Sequence, residues 1–482
     1  MFEPQFAGPS ARNKIGVCGA TSYVIGSIVG SGIFITPTTI LEQTGSVGLS
    51  LVVWVAAGLV SMLGAFCYIE IGTSIPESGG VHAYTCYLGW HPLAFSLMWG
   101  TVVLIYPAAA AIMAETFGRY VQSAVEPWIC MEAGTKAMVQ KLLGYLLLLA
   151  LGWLNLIPLS RYAGRLQIWI TSFKVAALAV IVAAGFYVLM FQDGHENLSN
   201  AFLGSQLSAS RLILAFYAGL YSYSGWNLLS NGLEDVENPK TALIVGQFLG
   251  CVVSMAIFVS IIVAYIAVLG ADGMLHSTVV AATFSDRMLS GFSVAIPIIV
   301  GVVVCGSVNS NIFGSSRFSF AAARKRQLPT CLCLVNAESD SPRTAVLFEC
   351  LAAIVYSFVA NLEELINYVM FTEWLQHLAV VLAILWIRFK GIPVHKRAVK
   401  MPIALHLLFV LVCVSLIGVT VFYTPLIAAT CFGLTVSGLL IYYLVIWPSR
   451  RLPTCLLKLN GSTTQILQIL LQCIVEEEPN KS

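Results

Sequence analysis

The sequence predicts an all-α polytopic membrane protein, and three observations favour this fold class. Of its 482 residues, 58% are hydrophobic and only 10% are charged, whereas soluble domains contain about 25% charged residues. The mean hydropathy is +0.86. Apolar stretches of about 20 residues, the length that spans a bilayer, recur along the whole chain and leave no room for a large soluble domain.

The apolar stretches predict twelve transmembrane helices. They lie near residues 15–41, 46–75, 92–124, 138–158, 166–190, 210–232, 241–270, 292–322, 344–361, 364–388, 403–423 and 425–447. Most of the 25 Lys and Arg residues fall on one side of this arrangement, which predicts that both termini are cytoplasmic. The expected organisation is an N-terminal tail, a ten-helix core, helices 11 and 12, and a C-terminal tail, at residues 1–14, 15–388, 403–447 and 448–482. The polar N-terminus opens no cleavable leader, so the first helix should be retained.

Composition argues against several classes of function. The net charge is +2 and no basic cluster is interleaved with aromatic residues, so nucleic acid is not an expected partner. The 13 cysteines are scattered through apolar runs without metal-ligand spacing, and we therefore predict no metal and no cofactor. The sequence contains no HExxH motif, no intramembrane aspartate pair and no repeated filter loop, so it gives no sign of an enzyme or a channel.

Two predicted helices are interrupted at matching positions. The first contains Gly30-Ser-Gly32 and the sixth contains Tyr221-Ser-Tyr-Ser-Gly-Trp-Asn227. The second break thus follows the first at a distance of five spans. Such paired breaks indicate a 5+5 inverted-repeat transporter, with its binding site where both helices unwind near the midplane. The alternative is that small residues only let the helices pack closely.

The chemistry of a broken helix suggests the ligand. N–H groups at the start of the second half-helix suit a carboxylate, and carbonyls at the end of the first suit an ammonium. A molecule that carries both groups on one carbon is an α-amino acid. Glycine allows the backbone to approach such a ligand closely.

The motifs themselves resemble the L-type amino-acid transporter family, the light subunits of heteromeric amino-acid transporters in the amino acid, polyamine and organocation superfamily. They are IVGSGIF (28–34), PESGGVHAY (76–84), YSYSGWN with EDVENP (221–239) and GSVNSNIFGSSRFSFAAARKRQLP (306–329). The resemblance implies a LeuT-type fold with broken helices 1 and 6, sodium-independent amino-acid exchange at the plasma membrane, and a single-span glycoprotein heavy chain as partner. A proton-coupled or uniport permease of the same fold, working without a heavy chain, is the alternative.

The resemblance also implies roles for individual residues. The positions that match the family's carboxylate site are Ile28, Gly30, Ser31 and Gly32. Those that match the amino-group and side-chain site are Tyr221, Ser222 and Ser224, with Tyr221 as an aromatic gate. Trp226 and Asn227 are expected to stabilise the broken helix.

Lys174 is the cation placed deep in the apolar fifth span, where a charge is costly and usually functional. It resembles the family's fifth-helix lysine, whose ammonium stands where sodium-coupled relatives hold an ion. The alternative is a lysine that extends its ammonium to the membrane surface. Arg317 lies near the inner end of its helix and fits an anchor as well as a functional role.

Two positions bear on substrate choice. Glu373 stands where relatives vary and where the cystine/glutamate exchanger has arginine, and Tyr106 precedes Pro107 where many members have arginine. A carboxylate at Glu373 would favour a cationic head group. Ser224, however, occupies the position at which the cation-preferring relative has aspartate. We expect neutral amino acids with some acceptance of cationic ones, and disfavour anionic substrates; Glu373 could instead be a protonated acid hydrogen-bonded within the bundle.

Cys130 lies in the loop after the third span, which is predicted to be extracellular. By resemblance it forms the disulfide with the heavy chain, although Met131 follows it where the family often has proline. A free or capped thiol is the alternative. Asn197-Leu-Ser is a glycosylation sequon in the next outer loop, and residues 463–478 have a helical pattern too short to span.

Overall fold

The structure is a computed structural model that describes residues 16–77, 79–126, 128–129, 131–156, 160–231, 238–277, 279–288, 294–336, 341–396, 398–447 and 454–475. The described residues are almost entirely helical. Their α-helices are α1 (Val17–Ile28), α2 (Gly32–Thr44), α3 (Val47–Ser74), α4 (Gly80–Tyr87), α5 (His91–Gly100), α6 (Tyr106–Val125), α7 (Ala133–Leu156), α8 (Ser160–Phe191), α9 (Ala209–Ser222), α10 (Pro239–Ala242), α11 (Phe248–Leu275), α12 (Val280–Met288), α13 (Ala295–Arg324), α14 (Arg343–Val359), α15 (Leu362–Lys390), α16 (Ile403–Tyr423), α17 (Pro425–Ile441) and α18 (Thr454–Leu471).

The predicted all-α membrane class is confirmed, and each of the twelve predicted spans coincides with a helix or a broken pair. Within the described ranges, nine helices are long and apolar enough to cross a membrane, and the pair α1 and α2 adds a tenth span bent by 45°. The other two segments correspond to α9, with 14 residues, and α14, with 17 residues. Both are shorter than the other spans, and α9 is short because it ends at the second predicted break.

Local sequence explains where several helices begin and end. Ser46 caps α3 by accepting the Leu49 N–H at 3.3 Å. Asn361 and Glu364 form a reciprocal capping box at the start of α15, an arrangement that satisfies two otherwise unpaired N–H groups. α15 ends at Gly391, whose φ of 61° is readily available to glycine.

A π-helical turn at Thr101–Ile105 joins α5 to α6 into one predicted span. Pro107, in the first turn of α6, has no N–H for the ordinary i→i−4 bond, which accounts for the wider turn before it. Such turns often occur at functional sites. Here the turn sets the direction of Tyr106.

A buried ionic cluster joins α3, α15 and α16 at the ends predicted to face the cytoplasm. Arg388 Nε donates to Glu70 Oε1 at 2.7 Å, and the Met401 N–H donates to Glu70 Oε2 at 2.7 Å. His406 Nε2 lies 3.3 Å from Glu70 Oε2. Because a buried carboxylate needs a charged partner and hydrogen bonds, this cluster links the ends of the three helices.

The C-terminal segment packs on the loop between α13 and α14. Strand β2 (Cys473–Val475) pairs antiparallel with β1 (Leu334–Asn336), with Val335 opposite Ile474. Asn460 of α18 accepts the Thr330 N–H at 3.1 Å. The helix predicted from the apolar pattern of 463–478 therefore ends at Leu471, because the residues after it form backbone hydrogen bonds to another strand.

Candidate functional site

The first predicted break lies between Ile28, the last residue of α1, and Gly32, the first residue of α2. The Gly30 N–H donates to the Ile28 carbonyl at 2.7 Å, which is a tight turn and not a helical hydrogen bond. Ser31 is 4% exposed. The start of α2 therefore lies inside the bundle, and the N–H groups of a helix start attract an anion.

The second predicted break begins where α9 ends at Ser222. The Ser224 N–H donates to the Tyr221 carbonyl at 3.1 Å, and Gly225 adopts a φ of +102°. A residue with a Cβ would be strained at that φ. The chain continues as a short 3-10 helix at Leu228–Asn231, beyond which residues 232–237 lie outside the description.

The two breaks contact each other directly. A Cβ added to Gly32 would lie 2.5 Å from the Ser222 Cα, so the backbones of α2 and α9 meet at this point. Thr36 Oγ1 and Ser222 Oγ are 2.7 Å apart. On the other side of the crossing, Gly225 faces Ser27 of α1 so closely that an added Cβ would overlap the Ser27 hydroxyl. Glycine is favoured at Gly32 because the neighbouring atom is backbone, and at Gly225 because of its positive φ.

The meeting point presents donors and acceptors to the same space. The N-terminus of α2 offers N–H groups, and the C-terminal ends of α1 and α9 offer carbonyl oxygens that no further helical turn uses. Tyr221, 9% exposed, has its hydroxyl close to the side chain of Ser31. A carboxylate and an ammonium on one carbon match this combination of groups.

Lys174 of α8 is 1% exposed and does not extend to a surface. Its Nζ donates to Ser307 Oγ at 2.9 Å, and that oxygen lies 3.8 Å from the position of a Cβ added to Gly30. The ammonium is thus connected to the first break through one hydroxyl of α13.

Glu373 of α15 reaches the second break. Ser224 Oγ lies 3.2 Å from each of its carboxylate oxygens. Glu373 lies eleven residues from the start of α15, in the middle of a largely buried helix. Its side chain is nevertheless 14% exposed. Sequence reasoning treated Ser224 and Glu373 as separate determinants of specificity, whereas the structure brings them into contact.

Two residues near Glu373 were missed by sequence reasoning. His377, one turn further along α15, has Nε2 at 3.8 Å from Glu373 Oε1 and Nδ1 at 2.9 Å from the Tyr68 hydroxyl. Tyr68 lies on α3, and sequence alone does not show that it faces α15. The i, i+4 spacing of Glu373 and His377 was a usable signal, because such side chains share one helix face.

Trp226 and Tyr106 flank this region. Trp226, 3% exposed, packs with its ring centroid 5.0 Å from those of both Tyr68 and His377, so it fills space behind the break, as expected of a stabilising residue. Tyr106 packs edge-on against Phe318 with ring centroids 5.6 Å apart. Both aromatic groups bound the space into which Glu373 projects.

Arg317 and Cys130 were also singled out in the sequence. Arg317 packs its guanidinium over the Phe313 ring at 3.8 Å and stays open to either interpretation. Cys130 lies outside the described residues, so the predicted disulfide stays a prediction. Among the described residues, no cluster of His, Cys, Asp and Glu could hold a metal ion.

Comparison with known proteins identifies the family. Residues 15–447 match the family model described as amino acid permease. The chain belongs to the amino acid permease family. It is 37% identical to "Amino acid transporter protein 6" of Caenorhabditis elegans over 97% of this chain and 90% of the relative. The human "Cystine/glutamate transporter" is 33% identical over 97% and 92%, and the mouse "Large neutral amino acids transporter small subunit 2" is 31% identical over 98% and 88%.

These matches confirm the resemblance to the L-type light chains and the expectation that the protein is not an enzyme. The permease is a multi-pass membrane protein whose relatives are named as amino acid transporters. The family match covers both breaks, Lys174 and Glu373. The roles of these residues are a matter for proposal.

Proposed function

We propose that this permease is a sodium-independent exchanger of L-amino acids that alternates between outward-facing and inward-facing states. The observation that supports the proposal best is the contact of Gly32 with Ser222. It brings the N–H groups of α2 and the carbonyl ends of α1 and α9 to one place, where they suit the carboxylate and ammonium common to all amino acids. Ile28, Gly30, Ser31 and Gly32 would hold the carboxylate. Tyr221, Ser222 and Ser224 would contact the amino group and side chain, with Tyr221 closing over the ligand.

The buried ammonium of Lys174 supports independence from sodium. Its hydrogen bond to Ser307, beside Gly30, keeps a positive charge next to the first break. A sodium ion at the same place would be repelled by that charge.

Substrate side chains are proposed to be neutral, with acceptance of cationic ones. By the family resemblance, the cation-preferring relative has aspartate at the position of Ser224. In this chain the Glu373 carboxylate of α15 reaches the Ser224 hydroxyl and brings a carboxylate to the same place. Glu373 thus offers a negative charge beside the break to a lysine, arginine or ornithine head group. The same charge disfavours anionic substrates, in contrast to the related human cystine/glutamate transporter.

We further propose that the chain is the light subunit of a heteromeric transporter in the plasma membrane, with both termini cytoplasmic. A related mouse protein is named as a small subunit, which supports a partner chain. The partner would be a single-span glycoprotein linked through Cys130. The competing function is a proton-coupled or uniport permease that needs no heavy chain.

A panel of radiolabelled amino acids tests the exchange. Vesicles that contain the purified protein are preloaded with leucine or left empty, with or without sodium outside. We expect uptake of neutral amino acids only in preloaded vesicles, at the same rate in both salts. Equal uptake into empty vesicles would favour the uniport function, and dependence on sodium would contradict the role of Lys174.

Substitution of Glu373 tests its part in selectivity. Glu373→Gln should lower the ratio of arginine uptake to leucine uptake, because the amide carries no charge. Glu349→Gln is the matched control, since Glu349 is 1% exposed on α14 and its side chain interacts with Ser315 of α13. An unchanged ratio in Glu373→Gln would remove the cationic proposal.

Electrophoresis tests the disulfide. Without reductant, the light chain co-expressed with a heavy chain should migrate as a larger species, and Cys130→Ser should abolish that species. Cys18→Ser is the control, because Cys18 is an exposed thiol on α1. A larger species that survives Cys130→Ser would contradict the assignment.

A further inference from the structure

A chain of polar side chains runs from the second break into the bundle. It leads from Ser224 to Glu373, with 3.2 Å from the hydroxyl to either carboxylate oxygen. It continues to His377, 3.8 Å from Glu373 Oε1, and then to Tyr68, whose hydroxyl is 2.9 Å from His377 Nδ1 and also interacts with the Asn227 side chain. The chain links the second break to α15 and α3, and its two members beside the break, Ser224 and Glu373, are part-exposed.

The surroundings of this chain exclude water. The side chain of His377 is 3% exposed, and Tyr68 is 1% exposed. The rings of Trp226, Trp374 and Phe409 lie with centroids 5.0, 5.3 and 6.4 Å from the His377 ring. In such surroundings an unpaired charge is expensive.

No lysine or arginine in the described part of the chain pairs with Glu373. The titratable groups that face it are His377 on its own helix, Tyr68 on α3, Tyr106 on α6 and Tyr221 on α9. On α16, Cys413 faces Tyr68. Lys174 is bound to Ser307 at the other break, and Glu70 on α3 is paired with Arg388. Within the described residues, the carboxyl group of Glu373 is hydrogen-bonded to Ser224 and has no permanent counter-charge.

His377 explains how the carboxyl group is oriented without a fixed cation. When the Tyr68 O–H donates to Nδ1, the neutral imidazole carries its proton on Nε2, which faces Glu373. We assign this tautomer because it directs the ring N–H towards the carboxyl group. His377 is therefore a positioning residue whose neutral N–H faces the acid across 3.8 Å, an electrostatic contact longer than a hydrogen bond.

We propose that Glu373 is a proton site whose proton and the cationic side chain of a substrate replace each other. The inference rests on the proposed exchange function. With a neutral amino acid bound, Glu373 carries a proton, and the site is uncharged at this position. With lysine bound, the proton has left, and the carboxylate faces the ammonium of the substrate. The occupied site has the same net charge in both cases.

The proposal fixes a proton balance. Lysine enters with Glu373 ionised, and leucine leaves with Glu373 protonated, so one proton leaves for every lysine that enters in exchange for leucine. The exchange is then electroneutral. Leucine-for-leucine exchange moves no net proton, because the acid carries a proton in both directions.

The test measures protons per exchanged amino acid in vesicles that contain the full protein, with its heavy chain where assembly needs one. Vesicles are loaded with leucine and a pH-sensitive dye, and labelled lysine is added outside with the membrane potential clamped. We expect about one proton out per lysine in, as the charge balance requires, and alkalinisation of the interior. Any lysine-for-leucine exchange left in Glu373→Gln should move no proton, whatever its rate.

A matched variant and a positioning variant sharpen the test. Glu349→Gln, which removes a buried carboxyl on α14, should keep the wild-type ratio. His377→Leu removes the N–H that faces Glu373, so lysine entry should require a more alkaline medium, and His377→Gln should restore the wild-type pH profile because its amide also donates.

Each outcome bears on one proposal. Leucine-for-leucine exchange that is absent from the wild type would overturn the proposed function. If that exchange is present, the proton site is overturned by lysine entry without proton release, by exclusion of lysine at every pH, or by an unchanged proton ratio in Glu373→Gln. An equal loss of the ratio in Glu349→Gln would also overturn it, because the loss would then reflect buried charge in general.

Discussion

Gly32→Ala perturbs the contact that unites the two helix breaks. The added Cβ would lie 2.5 Å from Ser222 Cα, 3.0 Å from its Oγ and 3.1 Å from its Cβ. Carbon atoms in contact are normally about 3.5–4.0 Å apart. Backbone cannot rotate away as a side chain can, so α2 and α9 must separate by about 1 Å to restore this spacing.

The expected cost follows from these distances. Overpacking of this kind costs about 1–3 kcal/mol, and the higher helix propensity of alanine returns up to about 1 kcal/mol. A net loss of about 1.4 kcal/mol in the conformation that binds substrate corresponds to an apparent affinity about tenfold lower. We therefore expect Gly32→Ala to weaken leucine binding about tenfold and to lower the thermal midpoint in detergent.

The control is Gly418→Ala on α16, where an added Cβ meets nothing within 4 Å. The same chemical change there should leave leucine exchange unaltered and stabilise the helix by up to about 1 kcal/mol. Half-saturation for leucine exchange and the unfolding midpoint are measured for both variants. The reasoning is refuted if Gly32→Ala matches Gly418→Ala in both measurements.

Three further predictions concern buried charges. Arg388→Met removes the guanidinium partner of the buried Glu70 carboxylate, which keeps only the Met401 N–H and the His406 ring nearby. Breaking a buried ion pair costs about 3–5 kcal/mol. The unfolding midpoint should therefore fall further than in the double variant with Glu70→Gln, and the reverse order would contradict the pairing. Lys174→Met should slow exchange at least about tenfold without lowering the unfolding midpoint, because it removes a desolvated charge. Lys141→Met, at an outer position bound to a backbone carbonyl, should change neither the exchange rate nor the midpoint. A loss of stability without a loss of exchange in Lys174→Met would refute this prediction. Burial, with a contribution from nearby Lys325, lowers the pKa of His82 on α4 from 6.5 to about 4, so the fold is most stable above about pH 6.5 and loses this stability as the pH falls towards 4. His82→Gln should therefore reduce the drop in unfolding midpoint between pH 7 and pH 4.5. An equal drop in both proteins would contradict this prediction.

The fold class could be predicted from the sequence because a bilayer imposes a minimum apolar length and requires backbone hydrogen bonds to be satisfied within each span. The broken helices could be predicted for the same reason, since Gly30-Ser-Gly32 and the run around Gly225 are the places where helix formation is weakest. The end of α18 could not, because Cys473–Val475 pair with Leu334–Asn336, and a pairing with a distant strand leaves no trace in local periodicity.

The candidate site, like the fold, could be predicted only in part from the sequence. The sequence by itself identified the break at Gly32 and the buried charge of Lys174, because small residues and charges stand out in an apolar span, and the family resemblance added Ser222 and Glu373. Only the tertiary structure decided that Gly32 meets Ser222, that Glu373 reaches Ser224, and that His377 and Tyr68 extend this chain. The physical reason is that the period of a helix tells which side chains share a face, whereas the packing of one helix on another decides what that face meets.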